Sequence, residues 1–229
     1  MTSPKSKAQK NEDKVTRNIV IVMVALVVLL PISVVGFKEL TKPEKSTAIP
    51  TTVNVEKGYA ISFNTDLVDV PVLDIYEDFQ CPICQQFEGV NIKYINSLIA
   101  EKKATVNYHI LSFIGDESVR AANGAACAND EGKFLEYHSA MYANQPQAEN
   151  SGAWSDKGIL AIASAAGIES KTFENCVKDQ KYITWVEKVA AAGAEANVNA
   201  TPTVFVNGKE INRNSDYFDA ANFKAAVEG

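Results

Sequence analysis

The chain changes its hydrophobic pattern several times, and each change marks a different kind of element. Residues 1–17 are polar and of mixed charge, whereas Asn18 to Phe37 form an uncharged apolar run close to the ~20 residues needed to cross hydrocarbon. Residues 38–50 are rich in Lys, Glu, Thr and Pro without apolar period, which predicts a tether. From 51 to 63, Val53, Val55, Tyr59, Ile61 and Phe63 predict an edge strand or hairpin with Gly58 at its turn. The apolar run 70–76 reads as a strand. After it, Phe87, Ile92, Ile95, Leu98 and Ile99 recur at helical spacing as far as Lys103, and residues 104–111 form a second strand.

Strand, helix and strand in that order predict two parallel neighbours joined by a right-handed crossover. The stretch from 116 to 198 has no strand pattern; its alanine-rich text predicts helices at 118–130, 132–144, 155–166, 170–178 and 182–196. A block of that length is too long for a loop and reads as a helical subdomain inserted into an α/β unit. The sheet then resumes at 203–206, turns at Asn207-Gly208, returns through 209–211, and a last helix near 218–228 closes the domain.

Charge gives the apolar run at 18–37 a direction. Lys5, Lys7, Lys10, Lys14 and Arg17 precede it against only Glu12 and Asp13, so the positive-inside rule keeps the tail in the cytoplasm and places the rest outside. A cleaved signal peptide is the rival, but its apolar region is usually ~7–15 residues. No cysteine follows the run to carry a lipid. The expected organisation is a cytoplasmic tail (1–17), a transmembrane anchor (18–37), a linker (38–52) and one extracytoplasmic domain (53–229) with its helical insert at about 113–198. The 229 residues, 46% of them hydrophobic, suffice for one such domain plus an appendage. A net charge of −6 leaves no basic stripe for nucleic acid.

The candidate chemistry lies where the strand ending near Tyr76 meets the helix, at Cys81-Pro82-Ile83-Cys84. A helix start carries unpaired N–H groups and the positive end of the macrodipole, which favour a thiolate at Cys81. Pro82 suits the first helical position, and Cys84, one turn deeper on the same side, can close or resolve a disulfide with Cys81. Zinc would need a second close ligand pair. Cys127 and Cys176 are instead far apart, and His109 and His138 are the chain's two histidines, so no metal and no cofactor are expected. A second landmark is Thr201-Pro202-Thr203, directly before a strand. A cis bond at Pro202 would be a costly feature kept for a purpose, and the loop's backbone could hold an extended substrate beside Cys81.

With Cys81-Pro82-Ile83-Cys84 after a strand, a long helical insert, and Thr201-Pro202-Thr203 before a hairpin, the chain resembles the DsbA-like branch of the thioredoxin superfamily. Glu77-Asp78-Phe79-Gln80-Cys81-Pro82 is similar to the membrane-anchored actinobacterial members. The resemblance implies a thioredoxin fold with a helical insertion and thiol–disulfide oxidoreductase activity. It further implies that Cys81 attacks, Cys84 resolves from a buried position, Pro202 is the cis-proline and Thr201 presents its backbone to substrate. A membrane quinone-linked reoxidant of the DsbB or vitamin K epoxide reductase kind is the implied partner, reduced exported proteins are the implied substrates, and a monomer is expected.

Two positions depart from better-known members. Ile83 stands where their dipeptide carries histidine, and it can neither hydrogen-bond to the Cys81 sulfur nor lend it charge. Ile75 stands where many relatives bury an acid. By strand alternation Glu77 shares the face of Ile75 while Asp74 points away, so Glu77 is the expected proton acceptor for Cys84.

Cys127 and Cys176 could be buried free thiols; in an oxidising compartment a structural disulfide is expected. A second redox couple is disfavoured because neither stands at an evident helix start. His138 and His109 read as structural or surface residues, Trp154 and Trp185 as core residues with Trp154 alternatively lining a substrate groove, and Asp78 either as an active-site acid or as a solvated loop acid. The expected function is disulfide introduction into exported proteins. Its rivals are a reductase or isomerase running the same chemistry backwards, and a non-enzymatic anchored binding or holdase domain.

Overall fold

Strand β3 (Val72–Asp78) is the central apolar run, and it extends two residues beyond the expected end at Tyr76. Glu77 and Asp78 keep their register with Ile110 and Leu111 of β4 (Thr105–Leu111). A strand can end on two buried acids only where packed elements supply partners for them. The computed structural model describes residues 46–229. The expected tail, transmembrane segment and first part of the linker lie outside the described residues. Among the described residues, no helix is long and apolar enough to cross a membrane.

The sheet also contains β1 (Val53–Asn54), β2 (Ala60–Phe63), β5 (Thr203–Val206) and β6 (Lys209–Glu210), in the order β1-β2-β4-β3-β5-β6. Strands β3 and β4 are parallel neighbours, whereas β5 lies antiparallel on the other side of β3. Helix α1 (Pro82–Ala100) connects the parallel pair. The β1–β2 hairpin departs from simple alternation: Val55 falls in a 3-10 turn, Val55–Lys57, rather than in a strand, and is exposed. Asn207 and Gly208 make the β5–β6 turn with φ of +51° and +77°. This left-handed pair is the geometry that favours Asn-Gly between antiparallel strands.

The insert comprises α2 (Asp116–Asp130), α3 (Phe134–Ala143), α4 (Asp156–Ala165), α5 (Lys171–Lys178) and α6 (Ile183–Glu195), each within two residues of the expected bounds. Helix starts are marked by local chemistry. Ser170 Oγ accepts from Phe173 N at 2.9 Å, and the Glu117 carboxylate accepts from Gly152 N and Trp154 N. Cys127 of α2 and Cys176 of α5 are joined in a disulfide, with Cα atoms 5.9 Å apart. Trp154 and Trp185 are both buried in the core.

The chain closes with α7 (Arg213–Asp216) and α8 (Ala220–Glu228), whose first N–H groups are capped by Asp219. On one face of the sheet Tyr76 stacks on His109, with centroids 3.9 Å apart, and His109 faces Asp74 at 3.3 Å. On the other face α1 lies over β4, the buried Tyr108 packs on Phe134 and His138 of α3, and Phe87 of α1 packs on Tyr217 and Phe223. Residues 46–52, expected to belong to the tether, rest on the domain. Ala48 and Ile49 pack against the core, and Ser46 Oγ donates to Lys181 O at 2.6 Å.

Candidate active site

Cys81 is the N-cap residue of α1, with extended backbone and Pro82 at the first helical position. The sequence dictates this local form. Pro82 cannot donate a backbone hydrogen bond and its fixed φ suits a first turn, so the helix begins there and the preceding thiol is left at its positive end. Both Cys81 and Cys84 carry free thiols. Cys81 is 7% exposed and Cys84 fully buried, while Ile83 between them is 40% exposed. Attack from solvent is therefore directed at Cys81, with an apolar side chain beside it.

Across the sheet, the peptide bond Thr201-Pro202 is cis and leads into β5. Cys81 Sγ lies 3.5 Å from the Thr201 carbonyl oxygen. The structure thus brings together Cys81, Pro82, Ile83, Cys84, Thr201 and Pro202, although 120 residues separate Cys81 from Thr201. Arg213 holds the loop from behind, its guanidinium donating to Thr201 O at 3.4 Å and to Thr203 Oγ1 at 3.1 Å.

The helical insert grips the strand-to-helix junction. Gln145 Nε2 donates to Phe79 O at 2.6 Å and to Cys81 O at 3.0 Å, and Gln80 Nε2 donates to Ser118 Oγ at 2.9 Å. Asp78 is fully buried, which corrects its reading as a solvated loop acid. Its carboxylate accepts from Ser118 Oγ at 2.6 Å, Gln80 N at 2.9 Å and Ile114 N at 3.2 Å. Such a polar nest lets an acid survive at a strand end.

Glu77 points to the α1 side, beneath the cysteines, and is sealed from solvent. Its Oε2 meets His138 Nε2 at 3.0 Å, and His138 Nδ1 lies 3.8 Å from Glu88 Oε2. His138 is therefore buried, not a surface residue, and is a partner of Glu77. Ligand-capable atoms of Glu77, Glu88 and His138 lie within 4.8 Å of one another, so this is where a cation could be held among the described residues. Cys127 and Cys176, in the insert, form a separate structural bridge.

The electrostatics divide the two thiols. Cys81 is lowered to about 6, chiefly because the Cys84 thiol supports its anion, with burial opposing and the Thr201 side chain and the N–H groups of Cys84 and Ile83 adding to the effect. Burial drives Cys84 in the opposite direction, well above the usual thiol range. Glu77 is raised to about 8 by burial, with the adjoining Glu88 carboxyl pulling the other way. Asp78 is raised by burial to about 6, against the three hydrogen bonds it accepts. One accessible thiolate over a buried thiol and a proton-carrying acid is the equipment of thiol–disulfide exchange.

Sequence reading missed Arg213, Gln145, Glu88 and the contact of His138 with Glu77. Arg213, Gln145 and His138 reach the site through tertiary packing, whereas Glu88 stands on α1 four residues after Cys84, where helical spacing alone could have placed it on the same face.

The family described as Thioredoxin matches residues 69–228. Among solved structures, the thiol-disulfide oxidoreductase MdbA of Actinomyces oris is similar, with a TM-score of 0.68 and 27% identity over 79% of this chain and 92% of its own. DsbA of Mycobacterium tuberculosis in its oxidised form gives a TM-score of 0.61 and 28% identity, covering 74% and 91% of the two chains. Disulfide bond formation protein D of Bacillus subtilis is 25% identical over 156 residues, 65% of this chain and 69% of that protein. The chain also matches the Na(+)/H(+) antiporter NhaA 1 of Mycolicibacterium gilvum, but spans only 24% of its length. By the family match, its fold, its Cys-Pro-Ile-Cys helix start and its cis-proline loop, the chain belongs to the thioredoxin family, in its DsbA-like branch of thiol–disulfide oxidoreductases.

Proposed function

We propose that the chain is a membrane-anchored oxidase that introduces disulfides into exported proteins through Cys81-Pro82-Ile83-Cys84. The observation that carries this reading is the placement of Cys81 Sγ at the start of α1, 3.5 Å from Thr201 O, with Cys84 buried behind it. A substrate thiolate attacks Cys81 Sγ of the oxidised pair, the Cys81–Cys84 bond breaks, and its electron pair leaves on Cys84. Glu77, which holds a proton at neutral pH, is the group that neutralises that sulfur. A second substrate thiolate then displaces Cys81 from the mixed disulfide. The substrate leaves with a disulfide and the enzyme with two reduced cysteines. The backbone at Thr201 and Pro202 supplies an edge for an extended substrate.

Reoxidation falls to a membrane quinone-linked protein of the DsbB or vitamin K epoxide reductase kind, and the apolar run 18–37 keeps the domain, monomeric and outside the cytoplasm, within reach of it. The opposite direction, a reductase fed by a membrane electron carrier, is favoured by one observation: Ile83 brings no charge to the Cys81 thiolate.

The deciding measurement is the reduction potential of the Cys81–Cys84 pair equilibrated against glutathione, with Cys127→Ser/Cys176→Ser as control. A value nearer ~−120 mV than ~−270 mV supports the oxidase, and one near or below ~−270 mV overturns it in favour of the reductase.

A further inference from the structure

Beneath the redox pair, one imidazole is held between two carboxyl groups. His138 Nε2 is 3.0 Å from Glu77 Oε2, its Nδ1 is 3.8 Å from Glu88 Oε2, and all three side chains are sealed. The rings of Phe79, Tyr108, Phe134 and Tyr142 surround the imidazole with centroids 5.7, 4.8, 5.3 and 5.0 Å away. Within this apolar cage, Glu77 Oε1, both Glu88 carboxyl oxygens and His138 Nδ1 have no hydrogen-bond partner. Three ionisable groups left partly unsatisfied in a core are costly, and a role in stability alone does not account for them.

The cluster also has two ends. Glu77 lies close enough to Cys84 for its charge to act on that sulfur. Glu88 borders a surface groove of about 340 Å³ between α1 and α3, with Gln85, Gly89, Ser139 and Tyr142, while its carboxyl oxygens are themselves closed off from solvent.

We propose that Glu77, His138 and Glu88 form a proton relay connecting the Cys84 sulfur to that groove, with His138 and Glu88 as positioning residues that act through Glu77. The proposal rests on the reading above that Glu77 serves Cys84. When the Cys81–Cys84 bond breaks, Glu77 gives its proton to the Cys84 thiolate. His138 passes the proton on Nε2 to Glu77 Oε2 and takes one on Nδ1 from Glu88, which recovers a proton from groove water when the wall between α1 and α3 opens to admit it. One proton has entered, and the imidazole stays neutral but has exchanged tautomers. Reoxidation returns every proton along the same path and restores the starting tautomer, so the ring need not turn.

The other titratable groups facing the cluster are Cys81 and Cys84 at the start of α1, Asp78 on β3, Tyr108 on β4 and Tyr142 on α3. Burial raises both tyrosines far above their ordinary range, so they remain neutral throughout. Burial also lowers His138 and raises Glu88, consistent with a resting state of neutral imidazole and protonated acid.

The test uses the full chain. Reduction of its Cys81–Cys84 disulfide by a small dithiol is followed by stopped flow from pH 5 to pH 9, in parent, Glu77→Gln, Glu88→Gln and Glu88→Asp. The relay predicts that Glu88→Gln slows reduction about tenfold or more, general acid–base catalysis being worth roughly 10²–10⁴. Glu88→Gln should also flatten the pH profile and leave the pH midpoint of Cys81 alkylation where it was, and Glu88→Asp should recover part of the rate. In the parent, rates in mixtures of light and heavy water should fall on a curve, the mark of several protons in transit. A parental rate in Glu88→Gln beside a slow Glu77→Gln overturns the relay and leaves the oxidase reading intact, as does a straight-line isotope dependence. Stoichiometric divalent metal in the purified parent that is lost in Glu88→Gln overturns it in favour of a cation site. A parent that exchanges no disulfide with the dithiol overturns both readings.

Discussion

The sulfur of Cys81 and the carbonyl oxygen of Thr201 lie 3.5 Å apart, although they belong to opposite ends of the domain. The carbonyl is an acceptor and gives the Cys81 anion nothing, so its support comes chiefly from the Cys84 thiol, with the Thr201 side chain and the first N–H groups of α1 adding to it.

Alkylation of the reduced chain should therefore modify Cys81 alone, with a rate that rises through a midpoint near pH 6 and then levels off. In Cys84→Ala the midpoint should move upward, because the largest support of the Cys81 anion is gone. Mass spectrometry of the alkylated chain and the pH–rate profile check both statements; equal labelling of Cys81 and Cys84 would contradict them.

Acidity and folding are linked at the same residues. Glu77 rises from 4.5 to about 8, so between those pH values the folded chain holds a proton that the unfolded chain has lost, and stability falls as pH rises. Asp78 acts in the same direction between 3.8 and about 6. Cys81 acts oppositely, its stabilisation growing from about pH 6 to pH 9. Between about pH 6 and pH 8 Glu77 and Cys81 oppose each other, and Glu88, which burial also raises, adds to the fall. In the reduced state, Glu77→Gln should therefore make stability rise more steeply with pH over that window than in the parent. Urea midpoints measured under reducing conditions across pH 5–9 check this, and a profile parallel to the parent's would contradict it.

Ser118→Ala removes the hydroxyl that donates to the buried Asp78 carboxylate at 2.6 Å. The expected loss is about 1–3 kcal/mol of unfolding free energy, the range for a buried acceptor left short of a partner. Because Gln80 and Ile114 still donate to Asp78, the Cys81 alkylation midpoint should remain within a few tenths of its parental value. Chemical denaturation together with the alkylation profile separates the two effects.

Gly124 allows α2 and α3 to meet. A side chain added there would run into the Tyr137 hydroxyl, which donates to Ala121 O at 3.0 Å. Gly124→Ala should cost about 1–3 kcal/mol through overpacking and the displaced hydrogen bond. An unchanged thermal midpoint would count against this packing.

Breaking the bridge between Cys127 and Cys176, which are 49 positions apart, should lower stability by about 4 kcal/mol on the chain-entropy account. The Cys127→Ser/Cys176→Ser double variant should nevertheless keep the alkylation behaviour of Cys81, since the bridge lies in the insert and makes no contact with the pair. Loss of selective Cys81 labelling in a folded double variant would refute that independence.

What could be read from the sequence divides along the range of the forces involved. Helix bounds in the insert were legible within two residues because caps and spacing are local, as at Ser170. The meeting of strand, Cys81, Pro82 and helix was legible for the same reason. Glu77 could be placed on its face because alternation from Ile75 needs only the strand. Its neighbour Asp78 could not be assigned to solvent or interior, since that depends on Ser118 and Ile114 arriving from elsewhere. His138, Gln145 and Arg213 carry no motif, and only the packed fold shows what they touch; Glu88, one helical turn after Cys84, could have been placed by spacing. Val55 was misplaced because alternation alone does not reveal that a 3-10 turn interrupts the pairing.

The anchoring of residue 46 has a mechanical consequence. Ser46 donates to the carbonyl of Lys181 and accepts from Thr184 Oγ1 at the head of α6, while Ala48 and Ile49 lie on the core. A pull on the chain at Ser46 would therefore reach α6 and the turn before it ahead of the two-residue strand β1 at the sheet's edge. The helical layer would act as a strain relief, sparing the geometry around Cys81 until the Ser46 clasp itself let go.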